Sequence, residues 1–280
     1  MKVSYRIGAH YSVSGSLEQA ARDAHKAGAN TLQIFTASPR MWRASRPQAE
    51  DVKRFAAARV ELDLSPLVVH ANYLINLASV DETIRGKSIQ AFREELLRCI
   101  MVGADFLVVH PGNYKDQTVE TGVGAAALAI MEAAEGVPAS KLTLLLENTA
   151  GQGASLGSRA AELVAIRSIA QDKVPFGMGY CLDTCHAFAA GLDFIETAGQ
   201  LGFANVPVIH ANDSKNPRGS RVDRHENIGK GTLGEEAFRR ILAHPALRGK
   251  AYILETPFEE DGDDARDIAA LRRLGLAGGG

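Results

Sequence analysis

At 280 residues and 46% hydrophobic content, the chain can bury one large core and falls in the range of about 200 to 250 residues or more that α/β barrels occupy as one domain. A formal charge of -2 excludes the global positive field of a strongly basic nucleic-acid-binding domain. Three cysteines without framework spacing, an N-terminus with no apolar signal core, and a longest apolar stretch (122–134) short of the about 20 residues of a membrane span exclude a disulfide scaffold, a secreted precursor and a membrane protein, so a reduced, cytoplasmic chain is expected.

Short apolar, β-leaning runs at 3–9, 31–35, 67–70, 106–110, 142–147, 178–183, 206–210 and 251–255 predict eight strands. Most are continuous rather than alternating, as in parallel strands buried on both faces. Helical spacing separates them: Val52, Phe55, Ala56 and Val60 predict one amphipathic helix, and Ile89, Phe92, Leu96, Leu97 and Ile100 another. Alternating strands and helices without a linker predict an α/β chain folded as a single (β/α)₈ TIM barrel over 1–280, with a frayed tail at 277–280.

The third to eighth runs end in His70, His110, Glu147, Asp183, His210 and Glu255. In a barrel these six converge on the C-terminal rim, where such folds build their active sites. One histidine after an apolar run is more often a packed or capping residue, but six polar strand ends in succession call for another explanation. Three imidazoles and three carboxylates in one cleft would be costly without cations, because buried carboxylates repel one another. Neutral imidazole and carboxylate donors suit Zn²⁺ or Mn²⁺, and no thiolate cluster suggests a structural zinc ribbon.

Two further spacings extend the set. In Asp183-Thr-Cys-His186 a separation of three lets both side chains face one site if the strand runs into a helical turn, and in Asp223-Arg-His225 alternate residues of an extended loop face one way. The nine candidate ligands exceed the needs of one or two zinc ions and fit three. Three divalent ions, the four carboxylates and one bridging hydroxide sum to about +1, so a phosphodiester would be attracted to this point of a slightly acidic protein.

The motifs Gly8-Ala-His-Tyr-Ser12, Tyr73-Leu-Ile-Asn-Leu77, His110-Pro-Gly112, Glu147-Asn-Thr-Ala-Gly-Gln-Gly153, Cys181-Leu-Asp-Thr-Cys-His-Ala-Phe-Ala-Ala-Gly191, His210-Ala-Asn-Asp-Ser-Lys215 and Gly219-Ser-Arg-Val-Asp-Arg-His225 closely resemble endonuclease IV, the zinc-dependent apurinic/apyrimidinic endonuclease family. The resemblance implies a monomer acting on double-stranded DNA that contains abasic sites. It implies that His70, His110 and Glu147 hold one Zn²⁺, that Glu147 bridges to a second held by Asp183, His210 and Glu255, and that His186, Asp223 and His225 hold the third. Mn²⁺ is an alternative at one or more sites. A hydroxide bridging the first two ions would attack phosphorus 5′ to the abasic sugar, leaving a 3′-hydroxyl and a 5′-deoxyribose phosphate, which makes Glu147 the catalytic ligand.

The same resemblance implies that Tyr73 enters the DNA stack while the abasic nucleotide swings out. Arg40, within Thr36-Ala-Ser-Pro-Arg-Met-Trp42, corresponds to a DNA-contacting loop, and His10 either reaches the DNA backbone or packs beneath it. Gly8, Asn148, Gly151, Gly153 and Asp213 serve equally as turn or supporting residues, and Cys181 and Cys185 read as small packing residues. Two other functions compete. A sugar isomerase or epimerase of the xylose-isomerase-like barrel group needs fewer ligands, and a non-catalytic DNA-damage sensor would keep the site only to grip phosphate.

Overall fold

The apolar runs close on themselves. A computed structural model describes residues 5–38 and 41–277. Its strands are β1 (Arg6–Tyr11), β2 (Leu32–Ile34), β3 (Leu67–His70), β4 (Phe106–Val109), β5 (Thr143–Glu147), β6 (Gly177–Asp183), β7 (Val208–His210), β8 (Asp213–Ser214), β9 (His225–Glu226) and β10 (Ala251–Leu254). Each barrel strand pairs in parallel with its neighbour in sequence, and β10 returns to β1 to complete a closed eight-stranded (β/α)₈ barrel. β8 and β9 form a separate antiparallel pair that folds the long loop after β7 back over the rim.

Helices α1 (Leu17–Lys26), α2 (Ala49–Glu61), α3 (Glu82–Val102), α4 (Val119–Ala134), α5 (Ala160–Ala170), α6 (Thr184–Ala189), α7 (Phe194–Leu201), α8 (Gly234–Ala243) and α9 (Asp263–Ala277) lie between and after the strands. The longest, α3, starts where the Asp81 side chain accepts the Ile84 N–H and stops at Gly103, whose φ of 67° turns the chain out of the helix. Of its predicted apolar face, Ile89, Phe92 and Leu96 are buried, while Leu97 and Ile100 pack against the core edge.

On α2 the predicted face is half corrected. Phe55 is buried with Ala58, whereas Ala56 is exposed and Val60 is 84% exposed. Val60 lies five residues past Phe55, about 140° around the helix, so it points away from the barrel. The 277–280 expectation meets the structure only at Ala277, which ends α9; 278–280 lie outside the described residues. No helix among the described residues is long and apolar enough to cross a membrane.

Val68, Val108, Leu145, Cys181, Val208 and Ile253 fill the barrel interior as one cluster. Each stands two residues before an expected ligand, and residues two apart on a strand share a face. The strand period therefore directs His70, His110, Glu147, Asp183, His210 and Glu255 into the mouth, directly above an apolar plug. A second and larger cluster fills the space between strands and helices.

Gly8 on β1 serves packing: a Cβ built there would sit 1.9 Å from the Thr31 carbonyl oxygen. Gly8→Ala is expected to destabilise the fold by about 1 to 3 kcal/mol through overpacking against backbone, seen as a lower denaturant midpoint at unchanged slope.

Candidate metal centre

Four of the six expected strand-end residues are the last residues of their strands: His70 on β3, Glu147 on β5, Asp183 on β6 and His210 on β7. His110 and Glu255 lie one residue past β4 and β10. Asp183 faces His210 directly across the β6–β7 ladder. Asp183 also caps α6, its Oδ1 accepting the His186 N–H at 2.7 Å. That junction turns the chain within one residue and points the His186 imidazole back into the mouth. The β8–β9 pair brings Asp223 and His225 over the same place.

Glu147 is the hub. Fully buried, its Oε2 lies 3.1 Å from His70 Nε2 and 3.0 Å from His110 Nε2, and its Oε1 lies 2.9 Å from His210 Nδ1. His210 Nδ1 is also 3.3 Å from Glu255 Oε2. On the outer side, Asp223 lies 3.1 Å from His186 Nε2 and 3.3 Å from His225 Nε2. The donor atoms of His70, His110 and Glu147 lie within 4.8 Å of one another, as do those of Glu147, Asp183, His210 and Glu255. A third such set joins His186 and His225 to Asp183, with Asp223 alongside, where sequence alone suggests Asp223 as the carboxylate. All nine expected ligands thus meet in one cluster.

Charge in this cluster is strongly coupled. Burial opposes ionisation of Glu147, but His210 and His110 outweigh it and hold the carboxyl well below the usual range. Burial likewise opposes the Glu255 anion, yet His210 and His70 bring its pKa down to about 2. Burial disfavours the His186 imidazolium, while Asp183, Asp223 and Glu147 push its pKa up to about 10. Cys181 and Cys185 are pushed up to about 12, chiefly by burial, so they pack as neutral thiols.

The arrangement fits cations on a specific observation. His225 Nδ1 lies 3.0 Å from the Glu255 carbonyl, which can only accept, so this nitrogen carries the proton. Nε2 is the nitrogen left facing the centre, and among the described residues this buried atom has no hydrogen-bond partner. It lies 3.7 Å from Asp183 Oδ2 as well as beside Asp223. A buried imidazole nitrogen without a hydrogen-bond partner, set beside carboxylates, is poorly satisfied by protein alone and well satisfied by a divalent ion. Zinc-type imidazole ligands commonly have their far nitrogen fixed this way.

Several supporting residues carried weak sequence signals. Asn148 exchanges hydrogen bonds with the backbone of Asp183, at 3.1 and 2.6 Å, and its carbonyl receives His186 Nδ1 at 2.9 Å. Asn212 donates to Asp183 Oδ2 at 2.6 Å and accepts the Glu255 N–H at 2.8 Å. Asp213 accepts the N–H groups of Gly229 and Leu233, each at 3.0 Å, and so shapes the segment that follows β9. Gln33, buried on β2, contacts His210 and Glu255 and was not singled out by sequence reasoning. Its signal was a polar residue inside the apolar run 31–35.

The expected DNA-contact residues differ in placement. Tyr73 stands on the loop after β3 at 63% exposure, its ring 5.4 Å from those of His70 and Phe35. His10 packs on Phe35 at 4.2 Å, and burial lowers its pKa to about 4, so it is a neutral group beneath the rim surface. Arg40 lies outside the described residues. Asn72 joins the two loops concerned: its amide donates to the carbonyls of Ser38 and Met41, and its oxygen accepts the Leu74 N–H.

A closed parallel barrel with carboxylate and imidazole donors crowding its C-terminal mouth defines a barrel enzyme equipped for divalent metal, and residues 21–274 match the family described as the xylose isomerase-like TIM barrel. The chain is 54% identical to a probable endonuclease 4 of Solibacter usitatus, the match covering 96% of each. The crystal structure of endonuclease IV from Thermus thermophilus aligns with a TM-score of 0.83 and 34% identity, covering 96% of this chain and 98% of that one. The chain belongs to the endonuclease IV family. A D-tagatose 3-epimerase-like protein aligns with a TM-score of 0.73 at 19% identity over 95% of this chain and 96% of its own, a likeness of fold alone.

Proposed function

We propose that this protein is a DNA-repair endonuclease that hydrolyses the phosphodiester on the 5′ side of an abasic site. Its centre holds three zinc ions: one on His70, His110 and Glu147, a second on Glu147, Asp183, His210 and Glu255, and a third on His186, Asp223 and His225. The observation that carries this reading is Glu147, a fully buried carboxylate whose two oxygens each face imidazoles from different strands, as a residue shared by two ions would. When bound, such ions acidify water and neutralise charge on a phosphoryl group.

The chain's own residues supply position and selectivity. Backbone carbonyls of Ala71, Asn148 and Glu255 hold the far nitrogens of His70, His186 and His225, so three imidazoles reach the centre already oriented. Glu147 brings the two inner donor sets into contact. Above them Tyr73 offers an exposed aromatic face for a base stack. Removing a base lowers the cost of swinging its sugar out of the duplex, which favours abasic sites over intact nucleotides. On the segments that follow β4, β5 and β8, Tyr114, Ser158, Arg159 and Arg221 line a cavity of about 750 Å³ whose arginines can meet backbone phosphates.

The direct test is incubation of zinc-loaded protein with a duplex carrying one abasic analogue. A single nick 5′ to the analogue with an extendable 3′-hydroxyl is expected. Tight binding without nicking in zinc or manganese would support a sensor, and turnover of a ketose or aldose in place of DNA would support an epimerase. Tyr73→Ala is expected to weaken binding to abasic duplex by about 1 to 3 kcal/mol, the scale of one aromatic–base stacking contact, with bound zinc unchanged. Loss of metal in that variant would contradict the assigned role.

A further inference from the structure

Three of the five rim imidazoles, His70, His186 and His225, present Nε2 to the centre and give their Nδ1–H to a backbone carbonyl. His210 is turned the other way. Its Nδ1 lies 2.9 Å from Glu147 Oε1, and its Nε2 lies 2.9 Å from the side-chain oxygen of Gln33. Here a side-chain amide does what a carbonyl of the main chain does elsewhere, and a side chain can be replaced.

The orientation of that amide follows from its neighbours. Gln33 Nε2 lies 2.6 Å from Glu255 Oε1, and a carboxylate oxygen only accepts, so the amide nitrogen must face Glu255. The amide oxygen then faces His210 and accepts its Nε2–H, so Nδ1, beside Glu147 and Glu255, is the nitrogen left to give up its proton to a cation. The second N–H of the same amide lies 3.1 Å from His10 Nδ1, which must accept, so the His10 proton resides on Nε2. Gln33 and His210 are fully buried, which removes water as an alternative partner. In register Gln33 sits between His10 on β1 and Val68 on β3, one step below the donor cluster.

We propose that Gln33 is a positioning residue that sets two imidazole tautomers with one amide: it exposes Nδ1 of His210 to the metal centre and leaves His10 with a proton to donate from Nε2. This rests on the reading of His210 and Glu255 as metal ligands. It extends that reading by naming the group that makes His210 a competent ligand, and by making His10 a neutral hydrogen-bond donor rather than a cation.

The test uses the full chain loaded with zinc and labelled with ¹⁵N-histidine. Two-bond ¹H–¹⁵N correlation spectra report which ring nitrogen carries the proton, with His10 and His210 assigned by single substitution. The expected spectrum shows both rings protonated on Nε2. Gln33→Leu is expected to weaken zinc retention at the His210 site by about 10-fold to 100-fold in competition with a chelator and to mix the His10 tautomers, with the far-ultraviolet circular dichroism unchanged. Gln33→Glu keeps an acceptor for His210 but loses both donors, so His210 should remain protonated on Nε2 while His10 changes. Wild-type protein with the His210 proton on Nδ1, or Gln33→Leu with undiminished zinc affinity, overturns the proposal. These outcomes leave the endonuclease reading standing, whereas a wild-type chain that binds no divalent ion overturns both.

Discussion

Glu147→Gln is expected to reduce abasic-site cleavage by about 10³-fold or more, equivalent to roughly 4 kcal/mol of lost transition-state stabilisation. The substitution is nearly isosteric at a fully buried position, so the barrel should keep its secondary structure. What changes is charge and donor chemistry. Three imidazole nitrogens lie within 2.9 to 3.1 Å of the carboxylate, and an amide would replace one of its oxygens with a group that cannot bind a cation. Two donor sets share this residue, so both should weaken together, and bound zinc should fall from about three ions per chain towards one, retained by His186, Asp223 and His225. Single-turnover nicking with metal analysis of the same preparation measures both effects. A folded variant with near-normal nicking would falsify the role given to Glu147.

Stripping the metal should abolish nicking and lower the melting temperature together. The folded chain packs four carboxylates and five imidazoles into one mouth, and a ligand that binds only the native state stabilises it by mass action, about 4 kcal/mol when the free ion stands at about 1,000 times its dissociation constant. The buried Nε2 of His225, with Asp223 3.3 Å and Asp183 3.7 Å away, loses most on removal. Restoring zinc should restore both activity and thermal stability, with about three ions per chain at saturation. Chelator-treated protein that still nicks abasic duplex, or that melts at the temperature of the loaded form, would count against a metal centre at this site.

Much of this was legible before folding. A parallel strand buried on both faces must be a continuous apolar run, so Val68-Val69-His70 or Leu144-Leu145-Leu146-Glu147 declares both a strand and the point where it meets the rim. The period of two then carries the argument from Val68 to His70 and from Leu145 to Glu147, because alternate residues share a face. Asp183 and His186 were legible for a related reason: one helical turn after a strand is a local event.

Other features depended on contacts that spacing does not encode. The α2 face turned by part of a helical revolution because the barrel surface, not the local pattern, selected Phe55 and Ala58 over Ala56 and Val60. Asp183 joined the outer set because the β8–β9 pair folded His225 back over β6, across a gap of more than forty residues. The Asn72 clamp on Ser38 and Met41 unites two loops that no periodicity connects.

The sequence by itself determined the barrel and the six polar strand ends on its inward-facing rim, since these follow from burial and strand period acting within short segments. Only the tertiary structure decided which donors lie within reach of one another, which nitrogen each imidazole turns inward, and that Gln33 contacts one of them. Hydrogen-bond direction and distance across a closed barrel arise where strands remote in the chain meet, and no local pattern specifies that meeting.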